Sequence, residues 1–154
     1  MAPTAERTRF YADLAREILQ HYPRGPVALA VTGPDAGITR RVADSLGEAI
    51  ASAGRGVARQ DARGDEPDAL RTQLAAFRSS GGDVLVVDGP QLLRPALRGS
   101  WNASVWLENG PVLEGAALES ERAYVRDGDP RSAASAVLSV ADPDLPVQVF
   151  SDSC

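Results

Sequence analysis

The turn Gly33-Pro34-Asp35-Ala36-Gly37 is the segment with the clearest chemical potential. It joins an apolar run, Val27-Ala28-Leu29-Ala30-Val31, to a helical pattern from about Thr39 to Ala53. Backbone amides at a strand-turn-helix junction suit an anion, although many α/β proteins keep a glycine turn there for packing alone. Two carboxylates stand after other apolar runs. Asp88 closes Asp83-Val84-Leu85-Val86-Val87 beside Gly89, and Asp61 follows Val57–Gln60 in a loop shared with Asp65 and Glu66. His21 is the sole histidine, which excludes a histidine-based triad or a multi-histidine metal site. All 16 basic residues are arginine, so no lysine ammonium exists anywhere in the chain.

The elements that position these residues follow from periodicity. Thr4 caps a helix to about Tyr22, with Phe10, Tyr11, Leu14, Ile18 and Leu19 on one face. The uninterrupted apolar runs at 27–31 and 83–88 read as strands covered on both faces of a parallel sheet. Gly54-Arg55-Gly56 ends the second helix, and Val57–Gln60 is a short strand. Asp65 and Pro67 open a helix buried through Leu70, Leu74 and Phe77, and Gly81-Gly82 ends it. After the breakers Pro90 and Pro95, Ala103 to Leu107 is another strand, Glu114 to about Arg126 a helix, and 137–140 and 147–150 short strands. Trp101, Trp106 and Phe77 are expected to fill the core. Strands alternating with helices through short connections predict an α/β fold, a mostly parallel central sheet flanked by helices.

At 154 residues and 44% apolar content, residues 1–154 are expected to form one domain. The formal charge of −5 is spread along the chain and gives no electrostatic ground for nucleic acid or an anionic membrane surface as a partner. No apolar run reaches the ~20 residues of a membrane helix, and the start MAPTAERTRF lacks an apolar signal core. The cytoplasm is therefore the expected compartment. The single cysteine, Cys154, precludes an intramolecular disulfide and is read as a terminal thiol.

Several segments, in order, resemble uridine kinases of the P-loop nucleoside-kinase type. "VALAVTGPDAG" resembles their first strand and phosphate loop, and "VARQD" their second strand with its acidic end. "DVLVVDGPQLLRPALRGSWNASVWLE" resembles the Walker B strand and the Leu-Leu-Arg-Pro and Trp-Leu elements after it. "YVRDGDPRSAASAVLSVADPD" resembles the C-terminal Tyr, Asp-Pro-Arg and Ala-Asp segment. The matches cover most of residues 12–148.

The resemblance implies ATP and Mg²⁺ as cofactors of an active member. It assigns Gly33, Gly37, Thr39 and Arg40 to the nucleotide, Asp88 and Thr39 to the metal, and Asp61 to the general base that accepts the substrate hydroxyl proton. The departures are equally specific. The family loop has the form GxxxxGK[ST]. Without a gap, Ile38 falls on its second glycine and Thr39 on its lysine; with a one-residue deletion, Gly37 and Thr39 match the glycine and the hydroxyl, and Ile38 stands at the lysine. Asp35 would repel phosphate unless Arg40 or Arg41 neutralised it, and arginine is a planar fork rather than a compact ammonium. Only 21 residues separate Asp61 from Asp83, and the arginine-rich lid between Leu107 and Tyr124 is also short, so both the substrate insertion and the lid look reduced. Arg94, Arg98, Arg122 and Arg126 are candidates to face an anion, or to pair with Glu119 and Glu121. The expectation is a degenerate member that binds a nucleotide, a nucleoside or a protein partner without efficient phosphoryl transfer. The alternative is an ATP-dependent kinase acting on a nucleoside or another small-molecule hydroxyl.

Overall fold

The structure, a computed structural model, describes residues 4–62 and 66–150. Helices α1 (Thr4–Leu19), α2 (Ala36–Ser52), α3 (Pro67–Ser79), α4 (Gly115–Gly128) and α5 (Pro130–Ala133) alternate with strands. These are β1 (Val27–Thr32), β2 (Val57–Asp61), β3 (Val84–Gly89), β4 (Ala103–Glu108), β5 (Ala136–Ser139) and β6 (Val147–Val149). The six strands form one sheet in the order β2-β3-β1-β4-β5-β6. All pairings are parallel except β5 with β6.

Side chains alternate across a strand, and here both sets are apolar. Leu29, Val31, Val84, Val86, Val105 and Leu138 meet α1 and α2 through Leu14, Ile18, Val42, Leu46 and Ile50. On the other face Ala28, Ala30, Leu85 and Val87 meet Leu70 and Leu74 of α3 together with Leu92 and Leu97. Further along that face Leu93, Trp106, Tyr124 and Val137 gather, with Trp101 partly buried against them. The runs without polar alternation at β1 and β3 are thus covered twice, as the sequence predicts.

The ends of the elements differ from the sequence expectation where polar groups intervene. Helix α1 stops at Leu19 rather than about Tyr22, because the Tyr22 hydroxyl donates to the Asn102 carbonyl at 2.7 Å and draws that residue away from the helix. Helix α2 starts at Ala36, three residues before the expected Thr39, for the reason given below. Phe77 is only partly buried. The short helix α5 was not expected. Asp65 and Cys154 lie outside the described residues; Glu66 is the N-cap residue of α3, without a side-chain capping bond, and Pro67 opens the helix.

At the amino-terminal end of the sheet, the Arg55 guanidinium binds both oxygens of Asp83, Nε to Oδ2 at 2.7 Å and Nη2 to Oδ1 at 2.8 Å. It also donates to the Tyr22 carbonyl at 2.9 Å, tying the ends of α1, α2 and β3 together. Gly25 passes so close to this strand that a Cβ would lie 2.1 Å from the Asp83 carbonyl oxygen. That end is clamped, and the opposite end of the sheet carries the candidate site.

Candidate functional site

Only residues 33–35 separate β1 from α2. Asp35 sits in extended backbone, φ −93° and ψ 113°, and is the N-cap of α2. Its Oδ1 accepts the Ile38 N–H at 2.9 Å, and its carbonyl accepts the Thr39 N–H at 2.9 Å. A carboxylate at this position satisfies an otherwise orphaned amide and complements the positive end of the helix dipole. The helix therefore begins where the resemblance would have placed open loop, and Asp35 occupies the end of the helix to which a phosphate would be drawn.

The nearby candidates are fixed in the same way. Thr39 is buried, and its hydroxyl donates to the Asp35 carbonyl at 2.7 Å. A Cβ at Gly33 would lie 3.0 Å from both Thr39 Oγ1 and Leu107 Cβ, so this glycine answers to close packing of the turn. Gly37 lies inside the first turn of α2, and a Cβ there would meet only Asp35 Oδ1, at an ordinary 3.5 Å.

Asp61 and Asp88 end adjacent strands and are direct register partners. Arg40, on α2, donates from Nη2 to Asp61 Oδ2 at 3.0 Å across an exposed surface. Asp88 has a side chain only 3% exposed, and Arg59 Nη2 donates to its Oδ1 at 2.8 Å. The same guanidinium reaches Asp44 of α2 and, through Nη1, the Val86 carbonyl at 2.9 Å. Arg59 and Asp61 are two residues apart on one strand and so share the face turned toward α2. Sequence reading missed Arg59. The available signal was an arginine two positions before an acidic strand end, opposite a strand that itself ends in aspartate. Arg41, a second candidate to neutralise Asp35, pairs with Asp144 at 2.6 Å.

The other flank of the strand ends is covered by α4. The Tyr124 hydroxyl accepts the Leu93 N–H at 3.3 Å, and Gln91, at φ 52°, donates to Ser120 Oγ at 3.0 Å. Thr32 Oγ1, at the end of β1, accepts the Leu92 N–H at 3.1 Å. Burial raises the Tyr124 phenol above its ordinary range, and burial likewise raises the Glu121 carboxyl, against a hydrogen bond with Gln91 that lowers it. Of the arginines named above, Arg122 stands 3.9 Å from Glu119, whereas Arg126 pairs with its neighbour Asp127 rather than with a glutamate of the helix. Arg98 donates to the Leu93 carbonyl at 3.4 Å. Arg94 lines a cavity of about 460 Å³ with Ala62, Glu66, Leu70, Pro90 and Leu92, next to the ends of β2 and β3.

Comparison with known proteins bears on the architecture. A solved structure of a possible uridine kinase from Bacillus stearothermophilus matches this chain with a TM-score of 0.69. The fold is P-loop kinase-like. The match covers 84% of this chain and 97% of the other at 17% identity, a likeness of fold. No family profile matches the chain, and no curated protein does.

The residues present do not fit a Mg²⁺-bound phosphate group as they stand. The turn ahead of α2 is closed by Asp35, the Thr39 hydroxyl is directed to backbone, and the buried carboxylate expected to serve a metal is already met by a guanidinium. Among the described residues no cluster of three or more metal-ligating side chains occurs, and no helix is long and apolar enough to cross a membrane.

Proposed function

We propose that this chain is a kinase-fold binding protein that takes a nucleoside, a nucleotide or a protein partner at the carboxyl ends of its strands and does not transfer phosphate efficiently. The observation that carries the reading is the Asp35 cap on α2 after a three-residue turn. A phosphate loop works by presenting several free amides and a lysine to the β- and γ-phosphates. Here a carboxylate holds the Ile38 amide, and the chain contains no lysine. The cavity beside Arg94 and Glu66 lies where open α/β sheets place ligands, outside the carboxyl ends of their strands, which is the ground for proposing binding there.

Calorimetric titration with ATP and ADP, with and without Mg²⁺, tests the reading, and a parallel titration with uridine tests the cavity. The expected result is no Mg²⁺-sensitive nucleotide affinity in the micromolar range. Micromolar, Mg²⁺-dependent ATP binding would overturn it. The register pairing of Asp61 with Asp88 favours a second reading, a kinase in which Asp61 serves as base, Asp88 and Thr39 hold Mg²⁺, and Arg40 replaces lysine. That reading requires Mg²⁺-dependent ADP formation with an acceptor, lost in Asp88→Asn; absence of turnover across a panel of nucleosides would exclude it.

A further inference from the structure

We infer that Arg59 is a built-in replacement for a divalent cation on Asp88, making this end of the sheet complete without Mg²⁺. The inference rests on the reading that the chain is not an efficient phosphotransferase, but its test is separate. Asp88 is almost fully buried at the end of β3, and a buried carboxylate requires a counter-charge and hydrogen bonds. In a metal-dependent site the cation and its waters provide them. Here the Arg59 Nη2 lies 2.8 Å from Asp88 Oδ1, while the rest of the fork is taken by Asp44 Oδ1, at 3.0 and 3.1 Å, and by the Val86 carbonyl at 2.9 Å. The guanidinium is thus held by a carboxylate from the helix that follows the turn, one from the sheet and one backbone oxygen. Its position is fixed by three separate elements, α2, β2 and β3.

A divalent cation approaching Asp88 would meet this guanidinium directly, and like charges at contact distance in a partly buried site repel strongly. Arginine suits the position better than lysine would. Its planar fork spans several acceptors at once, where a compact ammonium would not. Arg59 therefore determines which charge the site accepts, and the arrangement excludes the metal for the same reason that it stabilises Asp88.

The test is thermal unfolding of the full chain in MgCl₂, in MnCl₂ and in NaCl at matched ionic strength. For the wild type, the unfolding temperature should be the same in all three salts. Arg59→Ala leaves Asp88 unpaired and should lower the unfolding temperature by about 10 °C in NaCl. Millimolar Mg²⁺ or Mn²⁺ should then restore several degrees, and the double variant Arg59→Ala/Asp88→Asn should lose that metal response. Arg59→Gln, which keeps an amide donor and drops the charge, carries the same expectation. Specific stabilisation of the wild type by Mg²⁺ would overturn the inference. So would an Arg59 variant with no metal-dependent gain over the double variant, or failure of both single variants to fold with Mg²⁺ present. Micromolar, Mg²⁺-dependent ATP binding by the wild type would overturn the proposed function while leaving these melting results to stand on their own.

Discussion

Gly33 and Gly37 bracket one turn yet answer to different constraints. A methyl group at Gly33 would press on Thr39 and Leu107, both held in place, so Gly33→Ala should cost about 1–3 kcal/mol through overpacking. Gly37 lies in a helix with room beside it, so Gly37→Ala should be neutral or stabilise by about 0.5 kcal/mol. Denaturant melts of the two variants separate overpacking at Gly33 from open space at Gly37. Asp35→Ala should cost about 1 kcal/mol by removing the cap. The cap itself was legible, since Asp35 precedes Ile38 by three residues, but reading residues 33–37 as a turn rich in small residues placed the helix start later, at about Thr39. Arg59 was harder to read. Its partners Asp44 and Asp88 lie 15 and 29 residues away, and only the finished sheet brings the three together.

At the level of elements, β1 and β3 were readable because both faces of each strand are apolar, which requires helices on both sides. The end of α1 and the existence of α5 were not, because each depends on a tertiary contact or a very short local pattern. Tyr22 leaves α1 for the Asn102 carbonyl, 80 positions away. The clamp between α2 and β3 yields a prediction with a definite sign. The hydrogen bond from Arg55, against a smaller effect of burial, holds the Asp83 carboxyl below its ordinary value. A carboxylate lowered in the folded state adds stability above the unfolded pKa, about 3.9, and loses it as pH falls through the folded value. Wild type should therefore exceed Asp83→Asn by about 1–2 kcal/mol at neutral pH, both partners being less than a third exposed. The gap should shrink below about pH 4. Urea melts at several pH values measure it, and a gap that does not depend on pH would show that the ion pair is not its source.

On the scale of the whole molecule, the sheet separates two apolar layers that share its strands, so neither layer can be lost alone without exposing the other's backing. Residues 1–154 should then unfold as one unit. Both tryptophans report on one side only, because Trp106 lies in the cluster with Tyr124, and Trp101 packs against that cluster and its neighbour. Leu46, fully buried between α2 and the opposite face, is far from either indole in this layered arrangement. Leu46→Ala should destabilise by about 2–5 kcal/mol, the usual cost of truncating a fully buried leucine. If the layers are cooperative, the fluorescence transition must shift to lower denaturant by the same amount as the circular dichroism transition, and the two curves must coincide. If the α1–α2 layer unfolds by itself, the dichroism signal will fall early while the tryptophan transition stays near that of the wild type. The parallel experiment with Leu70→Ala, on the tryptophan side, should shift both signals together under the first description. Under the second it should move the fluorescence transition and only that part of the dichroism signal carried by α3 and α4, leaving the α1–α2 part near the wild type.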